Sequence, residues 1–346
     1  MPELGQRVVQ SHGISDPGMP ALAAVFDPVT LRKHFHQALP DDWGAIQNIR
    51  FQILKHHPGK RCTFEIALET ANGWRYLIGK VYSTDRSDVY RVMNELRRAG
   101  FGPEDELSIP QPVAYVPVLR LLLQEKVRGP RAKEVFLTGD ESDRAVAAVR
   151  SARWLAKFHS VAPRSWHTTD LTDHVNSADR WSQTIAKLGE PFAGRAKRLA
   201  KRLQEEEAAF ANGGELCAGH GSYNCNQIIL TEGRTITLDW DSYDVADPCR
   251  DVARFIVNLQ RLALKYLGSF QALDAAAEAF LKTYTALSPF DVSANLALYR
   301  ALMCLKLAKY EANRPVCNFP EAIEALLHEG LRVLEQEAGK HHGKIG

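Results

Sequence analysis

Alternating apolar and polar residues mark the first clear element of the chain. Apolar side chains recur at every second position at Cys62, Phe64, Ile66 and Leu68. A period of two is typical of a half-buried strand. Asn72-Gly73 is a hairpin turn signal, so Trp74 to Tyr82 is predicted to be the partner strand.

The period then changes to that of a helix. Apolar residues at i, i+3, i+4 and i+7 predict an amphipathic helix from Ser87 to Ala99, and Gly100 is a good stop signal. A strongly apolar strand follows from Leu119 to Gln124. A short helix is predicted earlier, from Thr30 to Leu39, after an N-terminal segment that shows little periodicity and is interpreted as a loose arm to about residue 25.

From Asp140 the pattern is helical, with one β island. Gln227 to Leu230 and Thr235 to Trp240 are predicted strands of a hairpin. This order predicts an α+β protein with a cleft between a β-rich first lobe and a mostly helical second lobe. The expected divisions are an arm and short helix at 1–45, a first lobe at 46–129, a second lobe at 130–336 and a frayed tail at 337–346.

Composition narrows the class of protein. The chain has 346 residues and a formal net charge of only +2, which does not favour nucleic acid or an anionic membrane as the main partner. Six cysteines lack CxxC spacing, so reduced thiols in a cytoplasmic protein are expected. No secretory signal is evident, and the most apolar stretch, Asn295 to Ala308, is too short to span a bilayer.

The densest chemistry lies between residues 220 and 251. The polar loop His220-Gly221-Ser222-Tyr223-Asn224 precedes the hairpin, and Asp239 and Asp241 stand at the hairpin's far end. The run Asp247-Pro248-Cys249-Arg250-Asp251 follows. Such an arrangement can bring several oxygens to one point, and Mg²⁺ needs hard oxygen ligands, usually one or two carboxylates plus substrate phosphates.

These motifs resemble those of the aminoglycoside phosphotransferase and choline kinase family, a branch of the protein-kinase-like fold. That family has a His-x-Asp loop, an Asn five residues after the Asp, an apolar-Asp-aromatic strand end and an Asp-Pro-x-x-Asp motif. Here His220, Asp239-Trp240 and Asp247 to Asp251 match in order and spacing. The similarity extends over residues 50 to 330 and implies a bilobal protein-kinase-like fold that uses ATP and Mg²⁺.

The resemblance implies a nucleotide site in the first lobe. Lys80 would hold the nucleotide phosphates as a compact cation, and Glu95 on the following helix would position it. Lys55 to Arg61 takes the place of a phosphate-covering loop, with Arg61 among the nucleotide-binding residues, although it is not a GxGxxG sequence. The segment that would contact adenine contains Gln124, Glu125 and Val127.

In the second lobe the resemblance implies a metal at Asp239, assisted by Asp241. The family's catalytic Asp is replaced by Ser222, and its second metal ligand, an Asn, by Gln227. A positioned general base contributes about 10²- to 10⁴-fold, so the serine is expected to orient the acceptor while the rate falls. The predicted catalytic residues are Ser222, Asp239 and His220, and the predicted metal ligands are Asp239, Gln227 and Asp241, with Asn224 or Asn226 as alternatives to Gln227.

His220 and Asp251 are expected to brace the loop, although Asp251 is equally well interpreted as a plain helix N-cap. The leading hypothesis is an ATP- and Mg²⁺-dependent kinase that acts on a hydroxyl of a small molecule, and its substitutions at Ser222 and Gln227 favour impaired activity. The alternative is a nucleotide-binding pseudokinase that regulates or scaffolds a partner, and transfer of a nucleotidyl group is a weaker third. The acids Asp244 and Asp291 favour a cationic acceptor without identifying it.

Overall fold

A computed structural model describes residues 16–209, 215–314 and 320–342. The chain divides into two units, Met1–Arg128 and Gly129–Gly346. Within the described ranges, no helix combines the length and apolar character that crossing a membrane requires.

The first unit is built on a five-stranded antiparallel sheet with the strand order β1-β2-β3-β6-β5. Its elements are α1 (Ala21–Val25), α2 (Pro28–Ala38), β1 (Ile46–His57), β2 (Arg61–Thr70), β3 (Gly73–Tyr82), α3 (Ser87–Arg98), β4 (Leu107–Ser108), β5 (Pro112–Val116) and β6 (Leu121–Glu125). The predicted strands of this unit and the helix after them are therefore confirmed, with ends that differ by one or two residues.

The strand β2 shows the alternation that its sequence predicts, because every second side chain is buried from Cys62 to Thr70. It pairs with β3 in a register that sets Phe64 opposite Gly79. A Cβ at Gly79 would lie 2.7 Å from the Phe64 ring, so a glycine at this position lets the two strands pack closely. Lys80, the next residue of β3, stands opposite Thr63.

The strand β1 was not predicted, and its burial explains why. Only Ile49 is fully buried among its twelve residues, and two register shifts interrupt its pairing with β2. An edge strand of this kind carries no clean period of two. The predicted phosphate-covering loop is shortened as a result, because residues 55–57 end β1 and Arg61 begins β2, which leaves a turn of three residues with Gly59 at φ +66°.

The N-terminal segment packs into the core of the first unit from residue 19 onward. Met19, Leu22 and Val25 are fully buried with the sheet's inner side chains. The Asp16 carboxylate accepts hydrogen bonds from the backbone N–H of Gly59, at 2.8 Å, and of Gly18, at 3.0 Å. The prediction of a loose arm is therefore wrong for residues 16–25, and residues 1–15 lie outside the described ranges.

The second unit is mostly helical and holds two short strand pairs. Its elements are α4 (Ala132–Thr138), α5 (Glu141–Val161), α6 (Leu171–Val175), α7 (Ala178–Ala186), α8 (Phe192–Ala209), β7 (Cys217–Gly219), β8 (Ile228–Leu230), β9 (Thr235–Thr237), β10 (Asp244–Ala246), α9 (Cys249–Leu267), α10 (Asp274–Leu287), α11 (Leu296–Ala312) and α12 (Pro320–His342). The predicted hairpin is the pair β8–β9. The tail that was expected to fray from residue 337 is helical to His342.

An aromatic cluster fixes the centre of the second unit. Trp154 of α5 stacks on Tyr223, and the ring of Trp240 packs against it, each with centroids 5.7 Å apart. All three side chains are nearly inaccessible to solvent. Since Tyr223 and Trp240 belong to the two chemically rich segments, this packing holds those segments against one helix.

Candidate active site

The loop from His220 to Gln227 leaves the end of β7 and runs to β8. The strand β7 pairs with β10 in antiparallel register, Gly219 opposite Asp244. Gly221 turns the chain at φ +72°, and a Cβ there would come within 2.3 Å of the Ser242 carbonyl oxygen. The turn therefore requires glycine both for its left-handed backbone and for space.

The carboxylate of Asp251 binds two backbone amides of this loop. It accepts hydrogen bonds from the backbone N–H groups of His220, at 2.6 Å, and Gly221, at 3.0 Å. Asp251 is the third residue of α9, whose N-cap is Pro248. The N-cap interpretation is therefore wrong, because the carboxylate caps the amides of a distant loop rather than those of its own helix.

The surroundings of Asp251 favour its charged form. Burial alone would raise the pKa of this carboxyl, but the imidazole of His159, 3.6 Å away, and the charge of Arg250 outweigh it and hold the pKa well below its usual range. Burial lowers the pKa of His159 and keeps its ring neutral at pH 7. The ring's other nitrogen, Nδ1, lies 2.7 Å from the Tyr284 hydroxyl.

His220 is buried, and its hydrogen bonds define its tautomer. Its Nε2 lies 3.0 Å from the Leu238 carbonyl oxygen, which can only accept, so Nε2 carries the proton. Burial lowers the pKa of His220 despite the nearby charge of Asp251, which leaves Nδ1 as a neutral acceptor. The Ser222 hydroxyl, 3.2 Å from Nδ1, therefore donates to it.

Gln227 joins the loop to the hairpin's far end. Its Nε2 donates to Ser222 Oγ and to Asp239 Oδ2, each at 3.2 Å, and its Oε1 accepts from Asn224 Nδ2 at 3.2 Å. Asn224 also accepts from Asn226, so the two alternative amides bond to one another. The structure thus brings together three of the predicted residues of this unit, Ser222, Gln227 and Asp239, in one hydrogen-bonded group that His220 extends.

Asp239 occupies an uncommon backbone conformation. The strand β9 ends at Thr237, so Asp239 is not a strand residue as predicted, and its φ of 71° and ψ of 68° are left-handed. Asp241 lies in the 3₁₀ turn that follows and is half-buried. Non-glycine residues in this region of φ and ψ are few and cluster at functional sites, which marks Asp239 as a functional candidate.

The donor set around Asp239 suits a hard cation. Across the described ranges, no three His, Cys, Asp or Glu side chains are grouped as metal ligands. The carboxylates of Asp239 and Asp241 are hard oxygen donors of the kind that Mg²⁺ uses together with phosphate oxygens and water. Gln227 turns its NH₂ group to Asp239 and its Oε1 to Asn224, so in this arrangement its amide donates to the carboxylate and does not offer an oxygen beside it.

The first residues of α9 carry a buried ion pair that the sequence did not reveal. Arg250 donates to both carboxylate oxygens of Asp244, at 2.6 and 2.5 Å, and both side chains are buried. Asp247 accepts from the Cys249 backbone N–H at 2.7 Å and from Asn295 Nδ2 at 2.8 Å. The Asp-Pro-x-x-Asp motif therefore contains an arginine that anchors β10, and only pairing in space identifies its partner.

The predicted nucleotide-binding residues of the first unit differ in how deeply they are buried. Lys80 and Gln124 are buried, in β3 and β6. Glu125 ends β6, and its Oε2 accepts from the backbone N–H of Gln111 at 3.0 Å. Half-buried positions are held by Arg61 at the start of β2, Glu95 on α3 and Val127 after β6.

Comparisons with known proteins bear on this arrangement. A model of the phosphotransferase enzyme family matches residues 77–299. A search among curated proteins found no match.

Solved structures share the fold at low sequence identity. Choline kinase from Cryptosporidium parvum is 10% identical over 91% of this chain and 97% of its own, with a TM-score of 0.59. A thermostable mutant of aminoglycoside phosphotransferase APH(4)-Ia is 13% identical over 89% and 99%, with a TM-score of 0.57. Amicoumacin kinase hAmiN, in complex with AMP-PNP, Ca²⁺ and Ami, is 11% identical over 91% and 95%, with a TM-score of 0.55. These likenesses confirm the predicted α+β, protein-kinase-like fold.

Proposed function

The chain belongs to the phosphotransferase enzyme family, and from this premise we propose that it transfers the γ-phosphate of ATP to a hydroxyl of a small molecule with the help of Mg²⁺. The observation that carries the proposal is the group formed by Ser222, Gln227 and Asp239, in which one amide touches both the serine hydroxyl and the carboxylate. This group supplies the positioned polar atoms on which phosphoryl transfer depends.

Asp239 and Asp241 are the carboxylates that would hold Mg²⁺, and Gln227 would join them once its amide turns so that Oε1, which accepts from Asn224 here, faces Asp239. When bound, the ion would neutralise charge on the phosphate oxygens. The side chain of Gln227 is one methylene longer than the family's Asn, so its amide reaches the Asp239 carboxylate across the loop.

In the first unit, Lys80 would bind the nucleotide phosphates, and Glu95 and Arg61 would support this binding. Gln124, Glu125 and Val127 would contact adenine. The amicoumacin kinase complex contains AMP-PNP and Ca²⁺, in line with a nucleotide and a divalent ion for this fold.

Ser222 would orient the acceptor hydroxyl. Its own proton points to His220 Nδ1, so its oxygen is available to accept a hydrogen bond from the acceptor. His220 is a weak base because burial lowers its pKa. Catalysis would then draw on positioning and charge neutralisation, and the rate would fall below that of an enzyme with a carboxylate here by up to about 10²- to 10⁴-fold.

The test is ADP formation with Mg²⁺-ATP and a panel of hydroxyl compounds. Asp239→Ala removes the predicted metal carboxylate and is expected to abolish activity, whereas Ser222→Asp supplies a base and is expected to raise kcat. Asp140→Asn, an exposed carboxylate at the start of α5, is the control and should leave the rate unchanged. Activity that survives Asp239→Ala would refute the proposed role of this group.

The absence of a carboxylate at position 222 favours a second candidate, a nucleotide-binding pseudokinase. Thermal stabilisation by Mg²⁺-ATP distinguishes it, because a specific ligand must raise the stability of the folded state. Stabilisation without ADP formation for any acceptor, in the wild type and in Ser222→Asp alike, would favour the pseudokinase. No stabilisation at all would contradict both candidates.

A further inference from the structure

Three basic side chains in the second unit lack an acidic partner. His174 lies on α6, Arg254 on α9 and Lys306 on α11, and each is half-buried. Among residues 16–209, 215–314 and 320–342, none of the three forms an ion pair with a carboxylate. The ring Nε2 of His174 and the Nε of Arg254 are buried and have no hydrogen-bond partner in that part of the chain.

The three groups are close enough to affect one another's protonation. Burial, followed by the positive charges of Lys306, Arg250 and Arg254, lowers the pKa of His174 to about 3. Burial, then Arg254 and Arg250, lowers the pKa of Lys306 to about 7. The Lys306 Nζ lies 5.6 Å from the centre of the Trp181 ring on α7, and α11 packs against both α7 and α9.

This cluster adjoins the candidate active site through two elements. Arg254 follows Asp251 by three residues, so both lie on the same face of α9, and Asp251 holds the loop of Ser222. The segment before α6 pairs with β10, since the Val245 N–H donates to the His167 carbonyl oxygen at 2.9 Å. The chain thus enters α6 beside the strand pair from which the loop begins.

The nearby acids are already engaged. Arg250 neutralises Asp244, and the two loop amides bind Asp251. Asp291 is exposed, and its carboxylate accepts from the Ser293 backbone N–H at 2.8 Å. The cationic acceptor suggested by Asp244 and Asp291 therefore loses the support of Asp244, whose two oxygens both bind Arg250.

We propose that Arg254 and Lys306 bind an anionic group, a carboxylate or a phosphate, of the small molecule whose hydroxyl Ser222 orients, with the neutral ring of His174 beside them as a hydrogen-bonding group. Buried charge without a partner is unfavourable, and a ligand anion would supply the missing counter-charge. Arginine and lysine are the side chains that bind carboxylate and phosphate groups. The inference rests on the proposed function, since it names the substrate class of that same site.

The binding test uses the nucleotide-free full chain and three probes at equal ionic strength: D-glycerate, inorganic phosphate and choline. Glycerate and phosphate are expected to raise Tm, and choline is not. Arg254→Gln and Lys306→Met are each expected to weaken anion binding about tenfold or more, as measured by calorimetry. Arg254→Lys, which keeps the charge, should retain part of the anion affinity that Arg254→Gln loses. Lys265→Met, which removes an exposed lysine beside Tyr266 on the same α9, is the matched control.

Two further readouts separate a ligand site from a structural role. Lys306→Met should raise the Tm of the unliganded protein, because it removes an uncompensated charge, whereas a fall would show that the cation supports the fold and would overturn the inference. D-Glycerate binding should weaken as the pH rises from 6 to 8.5, since Lys306 loses its proton across that range while the carboxylate of the probe stays charged. Equal anion affinity in the wild type and both charge-removing variants would also overturn it.

The remaining measurements test the phosphotransferase proposal and the anion site separately. They also distinguish an anionic acceptor from free inorganic phosphate as the ligand. A Tm shift with Mg²⁺-ATP but none with anions leaves the phosphotransferase proposal standing and refutes the anionic acceptor. The reverse result keeps the anion site and refutes the proposed function. ADP release promoted by glycerate or glycerol 3-phosphate supports an acceptor anion. Binding of inorganic phosphate without ADP release from any hydroxylated anion refutes it.

Discussion

Replacement of Asp251 by asparagine measures how much one buried carboxylate stabilises the loop from His220 to Gln227. The wild-type side chain accepts from the backbone N–H groups of His220, at 2.6 Å, and Gly221, at 3.0 Å, and is 1% exposed. Asparagine has the same shape but only one oxygen. Its amide NH₂ would meet one of the two backbone N–H groups, donor against donor.

The expected loss can be estimated from these contacts. One buried N–H left without an acceptor costs about 1–3 kcal/mol, and the other bond loses its charge assistance, about 1 kcal/mol more. Removal of the negative charge beside Arg250 brings the total to about 3–5 kcal/mol, the usual effect of breaking a buried charged pair. For a chain of 346 residues, such a loss lowers Tm by about 4–7 °C.

Thermal unfolding followed by tryptophan fluorescence is the assay, since Trp154 and Trp240 are buried in the same unit. Asp140→Asn makes the same chemical change at an exposed helix N-cap, where the carboxylate accepts from the Asp143 N–H at 2.9 Å. Asparagine caps helices as well as aspartate does, so the control should change stability by less than about 0.5 kcal/mol.

The pH dependence follows from the depressed pKa of Asp251. Because the folded-state pKa lies below the unfolded value, the stabilisation is fully present above pH ~4 and is lost as the pH falls through the folded-state value. The difference between the wild type and Asp251→Asn should thus be constant from pH 6 to 8 and shrink in acid. A loss under about 1 kcal/mol at pH 7 would refute the reasoning, because the two amides would then find other acceptors.

Three further predictions concern the same unit. Gly221→Ala should lower stability by about 1–3 kcal/mol and reduce kcat, because its Cβ would meet the Ser242 carbonyl; unchanged Tm and kcat would contradict this. Arg250→Met leaves the buried Asp244 carboxylate unpaired and should cost about 3–5 kcal/mol in urea unfolding, while a neutral effect would show that water reaches the carboxylate. Burial raises the pKa of the Cys225 thiol to about 12, so iodoacetamide at pH 8 should label it only after unfolding, as peptide mass spectrometry can check.

The elements that sequence predicts well are those whose periodicity reflects burial on one side. The strand β2 and the helix α3 fall into this group. Every second residue of β2 is buried, and the buried residues of α3 recur at intervals of three and four. The strand β1 does not, since it lies at the sheet edge and buries a single side chain fully. The helix α1 was missed for a different reason: five residues are too few to display a period.

The candidate site also has features that the sequence predicts and features that it does not. Motif spacing led to Ser222, Gln227 and Asp239, and the structure joins them by hydrogen bonds. The left-handed backbone of Asp239 was not predictable, because nothing in the local sequence excludes continuation of the strand. The partner of Arg250 and the shared neighbourhood of Arg254 and Lys306 depend on how α9 meets β10 and α11, which sequence distance does not encode.

The two departures from the family pattern make physical sense together. A carboxylate at position 222 would stand one amide away from Asp239, since Gln227 Nε2 touches both side chains at 3.2 Å. Two carboxylates at that separation repel unless a cation lies between them. A neutral serine removes the repulsion, and the longer glutamine amide then closes the gap by donating to both groups. The loop is therefore ordered by hydrogen bonds among Ser222, Gln227 and Asp239, and under the proposed function the missing carboxylate is expected to lower the rate.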